Sequence, residues 1–286
     1  MIEWKNCYKE DMNRTTADFS IVAHTASDIG CVRKCNQDAV AYIVPRLAAD
    51  RQRLGVLLIV ADGMGGHQGG EVASSLAVQT IAESYFAIAG VDRRRALEKA
   101  IEIANEVVFR ASQADQRLEG MGTTVTVLAL VGREAIYANV GDSRLYRCVN
   151  GDCQQLTRDD TLVEQLLRAG VIDADKARHH PIRNILLRSL GTQDKLRIVA
   201  RHAEPMAVGD QFVLCSDGLY DSIDEEEIGQ AVSTHDPEIA CRELVELARQ
   251  RGGRDNISIG VIAIRPLAAI VRRYRRRISR ADQTAR

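Results

Sequence analysis

Aspartate recurs at four glycine-marked turns of this chain: Val60-Ala61-Asp62-Gly63-Met64-Gly65-Gly66-His67, Val140-Gly141-Asp142-Ser143-Arg144, Cys215-Ser216-Asp217-Gly218 and Gly252-Gly253-Arg254-Asp255-Asn256. Three of the turns directly follow an apolar, strand-like run and the fourth leads into one, so a sheet can deliver all four carboxylates to one rim. Carboxylates gathered that closely repel one another and are driven toward protonation unless cations lie between them. The chemistry this pattern points to is a divalent-metal site. Oxygen-only donors suit Mg²⁺ or Mn²⁺ rather than zinc or copper, which favour nitrogen and sulfur. Asp62 has the richest setting, because Gly63, Gly65, Gly66, Gly69 and Gly70 let backbone approach a ligand and free the Gly63 carbonyl to coordinate.

The elements that must position these turns are mostly strands. Apolar or alternating runs predict strands at Phe19–Thr25, Leu54–Ala61, Thr123–Leu130, Ala135–Val140, Arg144–Cys148, Leu196–Ala200, Gln211–Cys215 and Ile257–Ile264. Helical spacing of Val72, Ala73, Leu76, Ala77, Thr80 and Ile81 predicts a helix over Gly70–Phe86, and Leu97, Ile101, Ala104, Val108 and Ala111 predict a second. Later helices are expected at Asp224–Ser233 and Pro237–Arg249. Strands first, then paired helices, a strand meander and late helices do not alternate as βαβ units do, so the class is α+β. Between Asp159 and Ser189, a short helix at Leu162–Leu167 and the His179-His180-Pro181 interruption read as an excursion beside the site.

The 286 residues, 45% hydrophobic, suffice for one large domain, and no Pro/Ser-rich linker divides them. The formal charge of -1 hides an asymmetry: seven arginines and one aspartate after residue 271 leave a body of about -7 and a basic tail. In that tail Leu267, Ile270, Val271, Tyr274 and Ile278 form one helical stripe, suited to an anionic membrane, a partner or the acidic body itself. Charge near the N-terminus and the lack of an apolar run of roughly 18 residues lead to the expectation of a cytoplasmic protein. Seven cysteines with no C-x-x-C pair lead to the expectation of reduced thiols.

Two other phosphate chemistries are weak here. Gln68 stands where G-x-G-x-x-G needs its third glycine, and no G-K-S/T follows. Cys215 lacks the arginine a cysteine phosphatase needs six residues on, where Asp221 stands, and is better read as a buried thiol. Arg33, five residues before Asp38, carries a planar guanidinium suited to a bidentate grip on phosphate.

Val32-Arg33, Asn36-Gln37-Asp38, Asp62-Gly63-Met64-Gly65-Gly66-His67, Gly70-Glu71, Met121-Gly122-Thr123-Thr124, Gly141-Asp142-Ser143-Arg144, Ser216-Asp217-Gly218 and Asp255-Asn256 resemble, in order, the motifs of bacterial PP2C-type (PPM) metal-dependent protein serine/threonine phosphatases. The likeness covers about residues 18 to 265, with 1–17 an N-terminal extension and 266–286 the basic tail. It implies an α-β-β-α sandwich and two Mn²⁺ or Mg²⁺ ions, with a third and weaker one. Asp62 would bridge two ions, the Gly63 carbonyl would bind one, and Asp217 and Asp255 the other. Asp142 would hold the third with Asp217, and Asn184 is placed by the resemblance within reach of it. Arg33 would grip phosphate and Asp38 would orient the attacking water. The implied reaction is direct hydrolysis of phosphoserine or phosphothreonine in proteins by a metal-bridging water, opposing a cognate kinase, with no nucleic-acid partner. The chain departs from many members at Gln37 and from eukaryotic ones at Met64; His67 could protonate the leaving group or serve only its loop. The alternative is a PP2C-fold module that binds a phosphoprotein without turnover.

Overall fold

The computed structural model describes residues 13–14, 19–66, 69–178 and 180–267. The tail beyond residue 267, His67 and His179 lie outside them. In chain order the elements are β1 (Asn13–Arg14), β2 (Phe19–Asp28), β3 (Asp38–Ile43), α1 (Ala48–Leu54), β4 (Val56–Met64), α2 (Gly69–Ala87) and α3 (Arg93–Ala114). There follow β5 (Gly122–Thr123), β6 (Val125–Val131), β7 (Glu134–Val140), β8 (Arg144–Val149), β9 (Asp152–Gln155), α4 (Leu162–Arg168) and α5 (Ala174–Arg178). The chain closes with β10 (Arg201–His202), β11 (Gln211–Cys215), α6 (Asp217–Tyr220), α7 (Glu225–Thr234), α8 (Pro237–Gln250) and β12 (Ile257–Pro266).

Two antiparallel sheets form, with strand orders β1-β2-β12-β11-β8-β9 and β10-β7-β6-β4-β3, and β5 extends β4 locally. The period-2 pattern of β4 explains how they stack. Leu57, Ile59 and Ala61 face Ala77, Ile81, Leu97 and Ile101 of α2 and α3, whereas Val56, Leu58 and Val60 face Phe212, Leu214 and Ile262 of the other sheet. On the far side Tyr146, Val213 and Ile259 meet Ile228, Leu244 and Ala248 of α7 and α8. The layers are therefore α-β-β-α. Helix starts are written in the chain: the Asp92 carboxylate accepts from the Arg95 N–H at α3, and Asp224 and Glu227 form a capping box at α7. No helix among the described residues is long and apolar enough to cross a membrane.

Two expectations change. Leu196–Ala200 carries no ladder; Leu196, Ile198 and Ala200 are buried, but the Ala200 N–H goes to Glu98 Oε1 at 3.1 Å, and pairing starts only at Arg201. Alternating apolar residues report one-sided burial, which a side chain can satisfy without a strand partner. The thiols are not all reduced either, because Cys148 and Cys153 stand directly opposite in the β8–β9 hairpin and form a disulfide. The turn between them is Asn150-Gly151, both at positive φ, the pair that a two-residue hairpin favours. Cys31, Cys35, Cys215 and Cys241 are not in disulfides.

Candidate metal centre

Asp62 sits near the C-terminal end of β4, and the Met121-Gly122-Thr123-Thr124 segment fixes its backbone. The Asp62 N–H donates to Thr124 Oγ1 at 3.0 Å, while its carbonyl accepts from the Thr124 N–H and from Thr123 Oγ1, each at 2.8 Å. Thr124 Oγ1 also shares a hydrogen bond with Ser143 Oγ at 2.8 Å, which ties the Asp142 turn to the same anchor. Asp38 is set against Asp62 by register, the two being partners across β3 and β4. Gly63 and Gly70 approach so closely that a Cβ at either would run into the other's carbonyl. Glycine at 70 keeps a Cβ off the Gly63 carbonyl, as close approach to a carbonyl ligand requires.

The second sheet supplies the rest. Asp217 opens α6 directly after β11, and Ser216 beside it donates from Oγ to Asp38 Oδ2 at 2.8 Å while accepting the Ser258 N–H at 3.0 Å. Asn256 staples the Arg33 loop onto β12: its Nδ2 donates to the carbonyls of Ile29 (2.9 Å) and Cys35 (3.0 Å), and its Oδ1 accepts the Gln37 N–H at 2.8 Å. The Gln37 carbonyl in turn accepts from Gly63 N–H and Ser74 Oγ. Asn256 and Ser216 thus join the two sheets at the site. Their signal in the sequence was only that each adjoins an expected ligand.

Burial and repulsion between carboxylates push Asp38, Asp62, Asp142 and Asp217 up. Asp62 lies well above the ordinary carboxylate range, first through desolvation and then through the fields of Asp38, Asp217, Asp142 and Asp255. Desolvation likewise raises Asp217 well above that range, Asp38 to about 6 and Asp142 to about 7. Asp62 therefore lies in the fields of the other four carboxylates. Asp38 Oδ1 and Asp217 Oδ1 are buried with no hydrogen-bond partner. Oxygen atoms left bare in a ring of anions fit a hard cation, the species that would satisfy both the lone pairs and the charge. Among the described residues no three His, Cys, Asp or Glu side chains close on a single point.

Arg33 reaches into this ring, its guanidinium 2.6 Å from Asp255 Oδ2, and the contact raises its own affinity for its proton. Asp142 is held by its turn, with its carbonyl accepting from Tyr220 Oη at 3.1 Å. Arg144 stacks on the Tyr220 ring at 3.7 Å and forks onto Asp159 at 2.7 Å, at the root of the 159–189 excursion. That root is closed by Asp160, whose N–H donates to the Gly141 carbonyl (2.8 Å) and whose carboxylate pairs with Arg188 (3.1 Å). Asn184 lies exposed in the excursion beside Arg183, which pairs with Asp221 at 2.8 Å. Arg33, Asp38, Asp62, Gly63, Asp142, Asp217 and Asp255 are thus gathered at one end of the sandwich, whereas Asn184 lies exposed on the excursion. Cys215 is fully buried with its thiol pushed up to about 12, so no thiolate nucleophile is available there.

Known proteins resemble this chain over most of its length. The chain is 36% identical over 242 residues to the serine/threonine phosphatase stp of Listeria monocytogenes, covering 83% of this chain and 93% of that one. It is 36% identical over 236 residues to the serine/threonine protein phosphatase PstP of Mycobacterium tuberculosis, covering 82% of this chain but 43% of that longer protein. The solved catalytic domain of PstP in complex with two manganese ions superposes with a TM-score of 0.74 at 31% identity, over 87% of this chain and all of that one. Residues 32–257, which hold the whole carboxylate ring and both sheets' contributions to it, match the Protein phosphatase 2C family model, and the chain belongs to that family.

Proposed function

We propose that this chain is a metal-dependent protein phosphatase that hydrolyses phosphoserine and phosphothreonine in proteins by direct attack of water, acting in the cytoplasm against a cognate bacterial serine/threonine kinase. The observation that carries the reading is that register sets Asp38 against Asp62, that Ser216 ties the Asp217 turn to Asp38, and that Asp38 and Asp217 each keep a buried carboxylate oxygen without a partner. Asp62, Asp217, Asp255 and the Gly63 carbonyl would hold two Mn²⁺ or Mg²⁺ ions, and Asp142 with Asp217, joined by Asn184 from the excursion, a third. Such ions, when bound, lower the pKa of water and neutralise charge on the transferring phosphoryl group.

This chain's own residues do the rest. Arg33 would exchange Asp255 for the phosphate oxygens of the substrate, for which its fork is shaped. Asp38, raised to about 6, is a carboxylate at neutral pH; Ser216 occupies its Oδ2, leaving Oδ1 to take a proton from the attacking water. The bond from phosphorus to the serine or threonine oxygen then breaks, that oxygen takes a proton from solvent, and inorganic phosphate and the free hydroxyl leave while Asp38 gives its proton back to water. In the same proposal, residues 18–265 are the phosphatase unit and the flanking segments are extensions to it.

The test is phosphate release from a phosphothreonine peptide with Mn²⁺ and with EDTA, beside Asp255→Asn. Manganese-dependent turnover that collapses in the variant is expected. A folded protein that binds Mn²⁺ and the peptide without turnover would replace this reading with that of a phosphoprotein-binding module.

A further inference from the structure

β3 is the outer strand of its sheet, pairing with β4 on one side only. A groove of about 540 Å³ follows it, floored by Asp38, Ala39, Val40 and Ala41 and walled by Ser27 of β2 and by Ser75, Val78 and Gln79 of α2. Register decides what the floor offers. The Gly63 N–H bonds to the Gln37 carbonyl, so in an antiparallel ladder Gln37, Ala39 and Ala41 turn their polar groups toward β4, while Asp38 and Val40 turn theirs outward. The Asp38 N–H confirms the phase, for it donates away from β4 to Asn36 Oδ1 at 3.1 Å. No backbone partner among the described residues takes the outward N–H or carbonyl of Val40. The groove runs into the acidic site through Asp38, which belongs to both.

We infer that this groove seats the stretch of substrate backbone next to the phosphorylated residue, added as a strand along β3 through the outward groups of Val40. The occupant is an extended phosphoprotein segment, because only main chain supplies the alternating donors and acceptors that a strand edge matches. From Asp38 to Ala41 the floor spans about 10 Å, three steps of ~3.4 Å, so it takes residues within a few positions of the phosphate. The small Ala39 and Ala41 leave room for ordinary side chains, which makes recognition depend on an extended, exposed segment more than on its sequence. The inference rests on the phosphatase reading and extends it to how a protein substrate is held.

The experiment compares KM for a short phosphothreonine peptide with KM for peptides extended by about six residues on the N-terminal or on the C-terminal side. Versions of the extended peptides N-methylated at successive residues are run beside them, and para-nitrophenyl phosphate serves as the small ester. One extension is expected to lower KM about tenfold with kcat unchanged. N-methylation should restore the higher KM at alternate residues only, the period of strand pairing. Gln79→Trp, which puts an indole into the groove from an exposed helix position, should erase the gain from the extension. Equal KM for short and extended peptides, or an N-methylation effect without period two, overturns the groove assignment while ester turnover leaves the phosphatase reading standing. No turnover of ester or peptide overturns both.

Discussion

Arg33 and Asp255 form an ion pair in a place where the charge balance of the site calls for a metal ion. The guanidinium is half exposed, so solvent weakens the contact, but it stands near Asp217 and Asp62 as well and offsets part of their repulsion. Two consequences follow from one side chain having two anionic partners. Arg33→Ala should raise KM for phosphopeptide by about tenfold to a hundredfold, the worth of a charge-assisted pair at ~1.5–3 kcal/mol. The same variant should bind Mn²⁺ at least as tightly as the parent in calorimetry, because Asp255 is released from competition. A variant that loses both phosphate and metal affinity would show that Arg33 is structural instead. Cys215 gives the opposite case, a residue with a tempting chemistry and no means to perform it. At about 12 its thiol would be thiolate in roughly one molecule in 10⁵ at neutral pH. Cys215→Ala should therefore keep kcat within about twofold while costing ~1 kcal/mol of stability through lost core packing. Loss of turnover in a well-folded Cys215→Ala protein would reopen the cysteine-phosphatase reading.

At the scale of elements, the site depends on hydrogen bonds that hold strand ends together rather than on any strand alone. Thr124 is the clearest of these, since its hydroxyl serves the Asp62 N–H and Ser143 at once from a buried position. Thr124→Val preserves shape but strands a buried donor, which costs about 1–3 kcal/mol. For a chain of this size a melting point lower by roughly 2–4 °C per kcal/mol is expected, with a larger loss in kcat than in stability alone would explain. An unchanged kcat would show that Asp62 is positioned without Thr124. Thr124 also marks what could be read in advance. The strands that lead to Asp62, Asp142 and Asp217 were legible because continuous apolar runs stop at aspartate-bearing segments. The end-to-end gathering of those turns was legible from the same punctuation. β3 was not, because Asp38-Ala39-Val40-Ala41-Tyr42-Ile43 is half-buried on both faces and short of bulky apolar residues. β9 was missed although Asn150-Gly151 is a strong hairpin signal, since Asp152-Cys153-Gln154-Gln155 carries no apolar alternation, and the disulfide went unseen with it. Asn256 and Ser216 joining the two sheets is tertiary information, carried by contacts between residues some 220 and 180 positions apart.

For the whole molecule, the acidic ring makes folding, metal and pH interdependent. Asp38 is raised to about 6, Asp142 to about 7, and Asp62 and Asp217 well above the ordinary value, against roughly 3.9 in an unfolded chain. Between those limits the metal-free folded state binds more protons than the unfolded state. Stability then falls as pH rises, because the derivative follows the protons bound by the unfolded state minus those bound by the native one. Each group contributes up to about 1.4 kcal/mol per pH unit over its own window, and the rest of the fold has to absorb the loss. Metal-free protein should accordingly melt at a lower temperature at pH 8 than at pH 5.5, a reversal of the common case in which carboxylates are stabilised as anions. Cations bind the deprotonated ring, so saturating Mn²⁺ should raise the melting temperature more at pH 8 than at pH 5.5, with protons released on binding across that range. Thermal melts of dialysed and Mn²⁺-loaded protein at the two pH values, with Asp62→Asn as a ring carrying one charge fewer, measure this directly. The variant should flatten the pH dependence of the metal-free protein and lose most of the manganese effect. A metal-free melting temperature that climbs from pH 5.5 to 8, or a manganese increment independent of pH, would mean that the ring is not the unbalanced charge it is argued to be.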